Sequence, residues 1–325
     1  MPSRAVKKKK KRSILKPRRI YLGVDGGGTR TRAVLIDEKQ NIVSEGVGGA
    51  SNPLRVGLEK AAEHICVAID LACDDANLSR SEIAAAEFGV AGVRREDIRL
   101  SLKRRLQTEL YTRAMDVVSD TEIALYGATE GEAGLVVIAG TGSNCLGQDE
   151  KGQKAAAGGW GPLAGDEGGA AGIARRALQA IAKASDGRGK PTTLSEKAVQ
   201  YFRVQNVEDV GTAIYAANMT NERIAGFARY VIEAAQEGDK VAIQLLDEAG
   251  RELGLAAIAV IQKLKLQKKT FVVSYVGGIF NAGEPIFKPL LKTIQSTAPR
   301  AFLAPPKFAP ALAAAKMAFM YLNGK

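Results

Sequence analysis

Ile20-Tyr21-Leu22-Gly23-Val24-Asp25-Gly26-Gly27-Gly28-Thr29 runs an apolar strand directly into three glycines and a threonine. Leu135 to Ile138 runs in the same way into Ala139-Gly140-Thr141-Gly142-Ser143. The two stretches keep one register: Gly28-Thr29 and Gly140-Thr141 lie 112 residues apart, and so do Asp37-Glu38-Lys39 and Asp149-Glu150-Lys151. Each copy reads as strand, glycine-rich turn, second strand and tight polar turn, a hairpin made twice. Glycines without a Cβ let main-chain N–H groups come close to an anion, so two such loops facing one another suit a polyphosphate. The duplication predicts a two-domain nucleotide clamp.

Working outward, Ile20 to Val24, Arg32 to Asp37 and Asn41 to Glu45 read as three linked strands, followed by a turn at Ser51-Asn52-Pro53 and one helix from Leu54 to Ala72. Ala86 to Val90 and Met115 to Val118 read as strands, with helices at Glu96 to Thr108 and Thr121 to Ala128. After the second hairpin, which ends near Gln153, helices are expected at 167–184, 195–205, 224–237 and 239–264. A strand at Thr270 to Val276, the turn Gly277-Gly278 and helices at 285–297 and 310–322 complete the chain. Strands alternating with helices imply an α/β protein with covered sheets. The boundary falls near Glu130 to Glu132, giving lobes at 20–131 and 132–307, with the final helix within 308–325 expected to return to the first lobe.

Composition narrows the class. The 325 residues are 46% hydrophobic, enough for a core in each lobe, and the net charge is +11. Residues 1–19 carry ten Lys or Arg and no acid; removing ten from 46 leaves 36 basic against 35 acidic residues. The basicity belongs to a tail, expected to be disordered, and a nucleic-acid partner is not expected of the rest. No apolar signal core or 18-residue apolar run occurs, so a cytoplasmic protein without membrane contact is expected. Cys66, Cys73 and Cys145 have no C-x-x-C spacing, in keeping with a reducing compartment. His64 is the only histidine and sits on an amphipathic helical pattern, which disfavours zinc sites and Ser/His/Asp catalysis. A general base is therefore expected to be a carboxylate.

No G-x-x-x-x-G-K-[ST] motif is present, and Gly140-Thr141-Gly142-Ser143-Asn144-Cys145 fails the last position of G-x-G-x-x-G. Asp25 ends an apolar strand, where a carboxylate is costly to bury without a cation. A magnesium ion held through water would supply one; hydrogen bonds from the turn's own N–H groups are the alternative. Asp120 begins a helix after a strand and could accept a hydroxyl proton in phosphoryl transfer, but Ser119-Asp120-Thr121-Glu122 also reads as a capping box. Asp166 and Glu167 are competing carboxylates. Gly158-Gly159-Trp160-Gly161-Pro162 and Gly165-Asp166-Glu167-Gly168-Gly169 place the only tryptophan and two acids among glycines. That suits a polyhydroxylated ligand, and equally a loop capped by Asp166. Gly277-Gly278, closing an apolar strand, could form a flat surface for adenine.

Taken together, the segments 23–29, Ser51-Asn52, Ser119-Asp120, 140–144, 158–161, 165–168 and Val276-Gly277-Gly278 resemble the N-acetylglucosamine kinase family. That family belongs to the BadF/BadG/BcrA/BcrD ATPase group of the actin-like, sugar kinase and Hsp70 superfamily. The resemblance spans Ile20 to the C-terminus. It implies two actin-like, ribonuclease H-like lobes with ATP and Mg2+ in the cleft between them, and γ-phosphoryl transfer to the 6-hydroxyl of an amino sugar. Position by position it implies Asp120 as general base and sugar ligand, and Asn52, Ser143, Asn144, Gly159, Trp160, Gly161 and Asp166 around the sugar. Gly26, Gly27, Gly28, Thr29, Gly140, Thr141 and Gly142 would meet the phosphates, Ala225, Gly277 and Gly278 would flank adenosine, and Asp25 would hold Mg2+ through water. Ala91-Gly92-Val93 stands where animal members have Ser-Gly-Gly, so both N-acetylglucosamine and glucosamine, and other hexose derivatives, are carried as acceptors. Two-lobed kinases of this kind often pair, so a homodimer is a possible assembly. The same group contains ATPases that activate dehydratases or reductases through an iron–sulfur cluster; Cys145 is the only cysteine near the loops to serve that alternative.

Overall fold

The computed structural model describes residues 19–324; the basic tail, Arg19 apart, lies outside them. The first hairpin is β1 (Ile20–Gly26) and β2 (Thr31–Ile36), extended antiparallel by β3 (Ile42–Gly48). Then come α1 (Pro53–Val56), α2 (Leu58–Asp75), β4 (Ile83–Val90), α3 (Glu96–Gln107), β5 (Met115–Ser119) and α4 (Asp120–Thr129). The second half repeats the plan with β6 (Gly134–Ala139), β7 (Ser143–Gln148) and β8 (Lys154–Gly158). It inserts α5 (Ala170–Ser185), α6 (Leu194–Phe202), α7 (Glu208–Ile214), α8 (Asn221–Ala225), α9 (Ala228–Gln236) and α10 (Lys240–Lys263). It ends with β9 (Val272–Val276), α11 (Glu284–Gln295), β10 (Phe302–Ala304) and α12 (Pro310–Asn323).

The sheets are ordered β3-β2-β1-β4-β5 and β10-β9-β6-β7-β8, so the same topology is built twice, an antiparallel meander joined to two parallel strands. The duplication reaches single hydrogen bonds. Asp37 Oδ1 accepts the N–H groups of Lys39 (2.9 Å) and Asn41 (3.0 Å). Asp149 Oδ1 accepts those of Lys151 (2.8 Å) and Gln153 (2.9 Å), the same turn one repeat later.

Each sheet carries its own helices on one face and a borrowed helix on the other. Tyr21, Val34, Ile36 and Ala85 of the first sheet pack against Ala311, Ala315 and Ala318 of α12. Gly23 permits this, since a Cβ there would run into the backbone of Ala311 and Ala315. Conversely α4 falls within 20–131 yet lays Ala124, Leu125 and Ala128 on Val136 and Leu146 of the second sheet. The two borrowed helices meet where Ile123 packs with Ala314. They are the shared wall beneath the cleft.

Five features differ from the sequence reading. The expected helix 54–72 is broken at Gly57, where φ is +83°. The expected helix 224–237 is two, α8 and α9, interrupted at Gly226-Phe227. Strand β8 is Lys-Ala-Ala-Ala-Gly, without a β-branched or aromatic residue, and its pairing with β7 rather than its propensity makes it a strand. Strand β10 is a three-residue edge, and α7 a two-turn helix, both too short for a periodic signal.

Candidate active site

The two glycine loops face one another across a cavity of about 490 Å3. On the first lobe, Thr31 Oγ1 donates to Gly49 O and meets Ser51 Oγ, both at 2.7 Å, while Ser51 N–H donates to Gly27 O at 2.9 Å. Ala91 N–H donates to Gly26 O at 2.8 Å. The loop is thus tied to the segments that carry Asn52 and Ala91, and Gly26 and Gly27 form its base, outside the cavity wall. On the second lobe, the first amides of α5 serve the loop: Ala170 N–H reaches Gly140 O (2.9 Å) and Ala171 N–H reaches Thr141 O (3.0 Å). Among the described residues the amides of Gly28, Thr29, Thr141 and Gly142 have no acceptor, so they remain free for an anion.

Twelve of the residues singled out in the sequence line this one cavity. Gly28 and Thr29 face Gly140, Thr141 and Gly142, with Asn52, Asp120, Ser143, Asn144, Gly159, Gly161 and Asp166 beyond them. Asn52 Oδ1 caps α1 by accepting Leu54 N–H at 3.0 Å, which leaves its amide NH2 to donate. Asp166 is buried in a left-handed conformation (φ +59°), and its Oδ1 accepts Ser143 N–H at 3.0 Å. That bond ties the carboxylate to the loop and leaves Oδ2 for a ligand. Asn144 Oδ1 is buried with no partner, an orphaned acceptor in the wall of a polar cavity.

Asp120 sits at the start of α4. The capping box is made without it: Ser119 Oγ accepts Glu122 N–H (3.3 Å), and Glu122 Oε2 accepts Ser119 N–H (3.0 Å). Asp120 Oδ1 takes the N–H (2.9 Å) and hydroxyl (3.3 Å) of Thr121, and no described group donates to its Oδ2. Burial pushes its carboxyl above the ordinary range, opposed chiefly by the Thr121 hydrogen bonds. Asp25 lies behind, its carboxyl pushed up to about 6 by burial first and by the charge of Asp120 second. No turn amide among the described residues donates to it, so the local hydrogen-bonding alternative is not what is found. A half-buried carboxylate raised by desolvation and by a neighbouring carboxylate is a setting that a divalent cation would relieve.

Four more assigned positions lie outside the cavity wall. Trp160 is 78% exposed and its ring stands outside the cavity wall that Gly159 and Gly161 form on either side of it. Gly277 (φ +124°) packs against the backbone of Ala139 and Gly140, directly behind the second loop, and Gly278 begins the short 3-10 turn that follows. Ala225 is buried at the end of α8.

The sequence reading missed Arg55 and Ile138 in the wall, and marked Ala91, which also lines it, only as a departure from Ser-Gly-Gly. Arg55 is the only cationic side chain there, and its Nη2 donates to Glu222 Oε1 of α8 at 2.5 Å, an ion pair between the lobes. No motif marks Arg55; its place depends on how the lobes close.

Two duplicated sheets, exchanged covering helices and a cleft of free amides and carboxylates define the actin-like class of nucleotide-binding phosphotransferases. The chain belongs to the BadF/BadG/BcrA/BcrD ATPase family, whose model matches residues 22–318. It is 33% identical over 260 residues to an N-acetylmuramic acid/N-acetylglucosamine kinase of Clostridium acetobutylicum, covering 80% of this chain and 85% of that one. It is 30% identical over 318 residues to an N-acetyl-D-glucosamine kinase of Dictyostelium discoideum, covering 94% and 98%. A solved structure of a proposed N-acetylglucosamine kinase from Chromobacterium violaceum superimposes with a TM-score of 0.74 at 26% identity, over 92% of this chain and 98% of that one. The fold, the family and these relatives make this chain an ATP-dependent kinase.

Proposed function

We propose that this kinase transfers the γ-phosphoryl group of ATP to the 6-hydroxyl of N-acetylglucosamine or glucosamine, with Asp120 as general base. The observation that carries the reading is Asp120 itself: a half-buried carboxylate with one unclaimed oxygen, in the same cavity as two loops of free amides. In this reading the loop amides and the hydroxyls of Thr29 and Thr141 hold the phosphates. Asn52, Asn144 and Asp166 orient the sugar through its hydroxyls, using the Asn52 NH2, the orphaned Asn144 oxygen and the free Asp166 oxygen. Asp120 Oδ2 accepts the proton of the 6-hydroxyl as that oxygen attacks the γ-phosphorus and the bond to the β–γ bridging oxygen breaks, releasing ADP. Asp25 would hold Mg2+ through water, and the ion would neutralise charge on the phosphates. The reading places the protein in the cytoplasm, where ATP and reduced thiols coexist.

The activator alternative has less to stand on. Cys145, its one candidate near the loops, is buried within β7 in the core of the second lobe, and burial drives its thiol far above the ordinary range.

The test is ADP release from protein, ATP and Mg2+ across a hexosamine panel. N-acetylglucosamine or glucosamine should raise the rate well above the sugar-free background. ATP hydrolysis at one rate with every sugar would overturn the proposal.

A further inference from the structure

We propose that Arg55 is a catalytic residue that donates to the transferring phosphoryl group, with Glu222 of the opposite lobe as its positioning residue. This rests on reading the two glycine loops as the phosphate site. Arg55 lies on α1, the single turn capped by Asn52: Asn52 Oδ1 accepts Leu54 N–H at 3.0 Å, and Asn52 O accepts Arg55 N–H at 2.9 Å. The break at Gly57 ends that turn before α2 begins. One turn of chain therefore brings a sugar-side residue, Asn52, and a cation, Arg55, to the same cavity wall. A Cβ on Gly28 would sit 3.3 Å from Arg55 Nη1 and 3.6 Å from its Cζ. The guanidinium thus lies against the first loop, beside the free amides of Gly28 and Thr29.

That guanidinium is used on one side only. Nη2 donates to Glu222 Oε1 at 2.5 Å, and among the described residues nothing accepts from Nη1 or Nε. Glu222 stands in the first turn of α8, where Thr220 Oγ1 accepts Arg223 N–H at 3.1 Å, and the same short helix ends at Ala225. Both side chains of the pair are half-exposed, so the pair adds little to stability. Its effect is on geometry: the carboxylate fixes one nitrogen and leaves another facing the loop. The charge fits as well. Asp120 and Asp166 line the cavity and Asp25 lies behind it, so among the described residues Arg55 is the one side-chain cation in the wall to meet a polyphosphate. A guanidinium stays charged at physiological pH and presents its donors in one plane, which suits phosphate oxygens. In the step itself the acceptor oxygen bonds to the γ-phosphorus and its proton passes to Asp120. The bond to the β–γ bridging oxygen breaks, and its electron pair leaves with ADP. Arg55 gives up no proton; Nη1–H donates to a γ-phosphoryl oxygen and offsets the negative charge there.

The experiment measures kcat, KM for the hexosamine, and equilibrium affinity for ADP and for a non-hydrolysable ATP analogue. The proteins are the wild type, Arg55→Gln, Arg55→Lys, Glu222→Gln, and the exchanged pair Arg55→Glu with Glu222→Arg. Arg55→Gln should lower kcat by roughly 10–10²-fold and weaken the analogue several-fold, with ADP affinity and sugar KM unchanged. Arg55→Lys should recover part of the loss. Glu222→Gln, whose amide oxygen still accepts from Arg55, should lose less than Arg55→Gln. The exchanged pair restores an ion pair between the lobes but no cation against Gly28, so it should stay as slow as Arg55→Gln. Recovery of kcat in the exchanged pair would make the contact a bridge between lobes and overturn the proposal. So would a normal kcat in Arg55→Gln while the wild type turns over the sugar, a result that leaves the amino-sugar reading standing. If the wild type phosphorylates no hexosamine, that reading falls and the binding measurements still decide the role of Arg55. A loss confined to the analogue supports it; equal losses for ADP and the analogue, or none for either, overturn it.

Discussion

The charge of Asp120, in the cavity wall, acts on Asp25 behind it, and the fold holds the two carboxylates together. For Asp25 the folded pKa, about 6, lies above the ordinary 3.8. The folded state then binds the proton more tightly than the unfolded chain does. Stability from this group is complete below 3.8 and is lost as pH rises through about 6, so at pH 7 the protein without nucleotide carries the strain of an ionised Asp25. Asp25→Asn should therefore raise stability at pH 7 by roughly 1–3 kcal/mol while lowering phosphoryl transfer. Thermal melts at pH 4 and pH 7 check this; a variant that melts below the wild type at pH 7 contradicts it. Asp25 and Asp166 drew attention in the sequence because carboxylates beside glycines and apolar strands are out of place in a core, whereas Asn52 read only as part of a turn and gained a role through the family resemblance. Arg55 was not legible, since it is an ordinary surface arginine until lobe closure gives it Glu222 as a neighbour. Trp160 shows the reverse: a rare residue in a glycine loop drew attention, but the positive φ at Gly159 and Gly161 goes with a ring that stands out in solvent.

Among elements, the hairpins were the most legible, because an Asx turn and a glycine loop are local chemistry repeated at one spacing. The helices that exchange places were harder to read, since nothing within α4 says which sheet it will cover. The signal lies instead on the receiving strand, where a glycine admits helix backbone. Gly23 has no conformational need to be glycine, as its φ is not positive; its need is for space against α12. Gly23→Ala should destabilise the protein by roughly 1–3 kcal/mol through overpacking, read as a lower urea midpoint with little change in slope. An unchanged midpoint would mean that α12 can move away freely, and that its seating on β1 is not needed. The breaks at Gly57 and Gly226 were missed because apolar spacing continues across them, while the backbone does not.

Across the whole molecule, the fold makes one cleft from two copies of a sheet, with each copy covering the other through a helix. Topology and the two glycine loops follow from duplication, which the sequence displays. What distinguishes the two halves is unduplicated: Asn52 and Asp120 from the first, Asn144 and Asp166 from the second. Their convergence on a single cavity is a property of tertiary closure that no spacing in the chain could reveal. The measurement that tests this most directly is phosphoryl transfer from ATP to N-acetylglucosamine by the wild type and Asp120→Asn, with the phosphate position read by NMR and ATP affinity measured in parallel. Wild type should yield the sugar 6-phosphate, and Asp120→Asn should be slower in kcat by roughly 10²–10⁴-fold with ATP still bound. Near-normal turnover in Asp120→Asn, or phosphate on a different hydroxyl, would contradict the account.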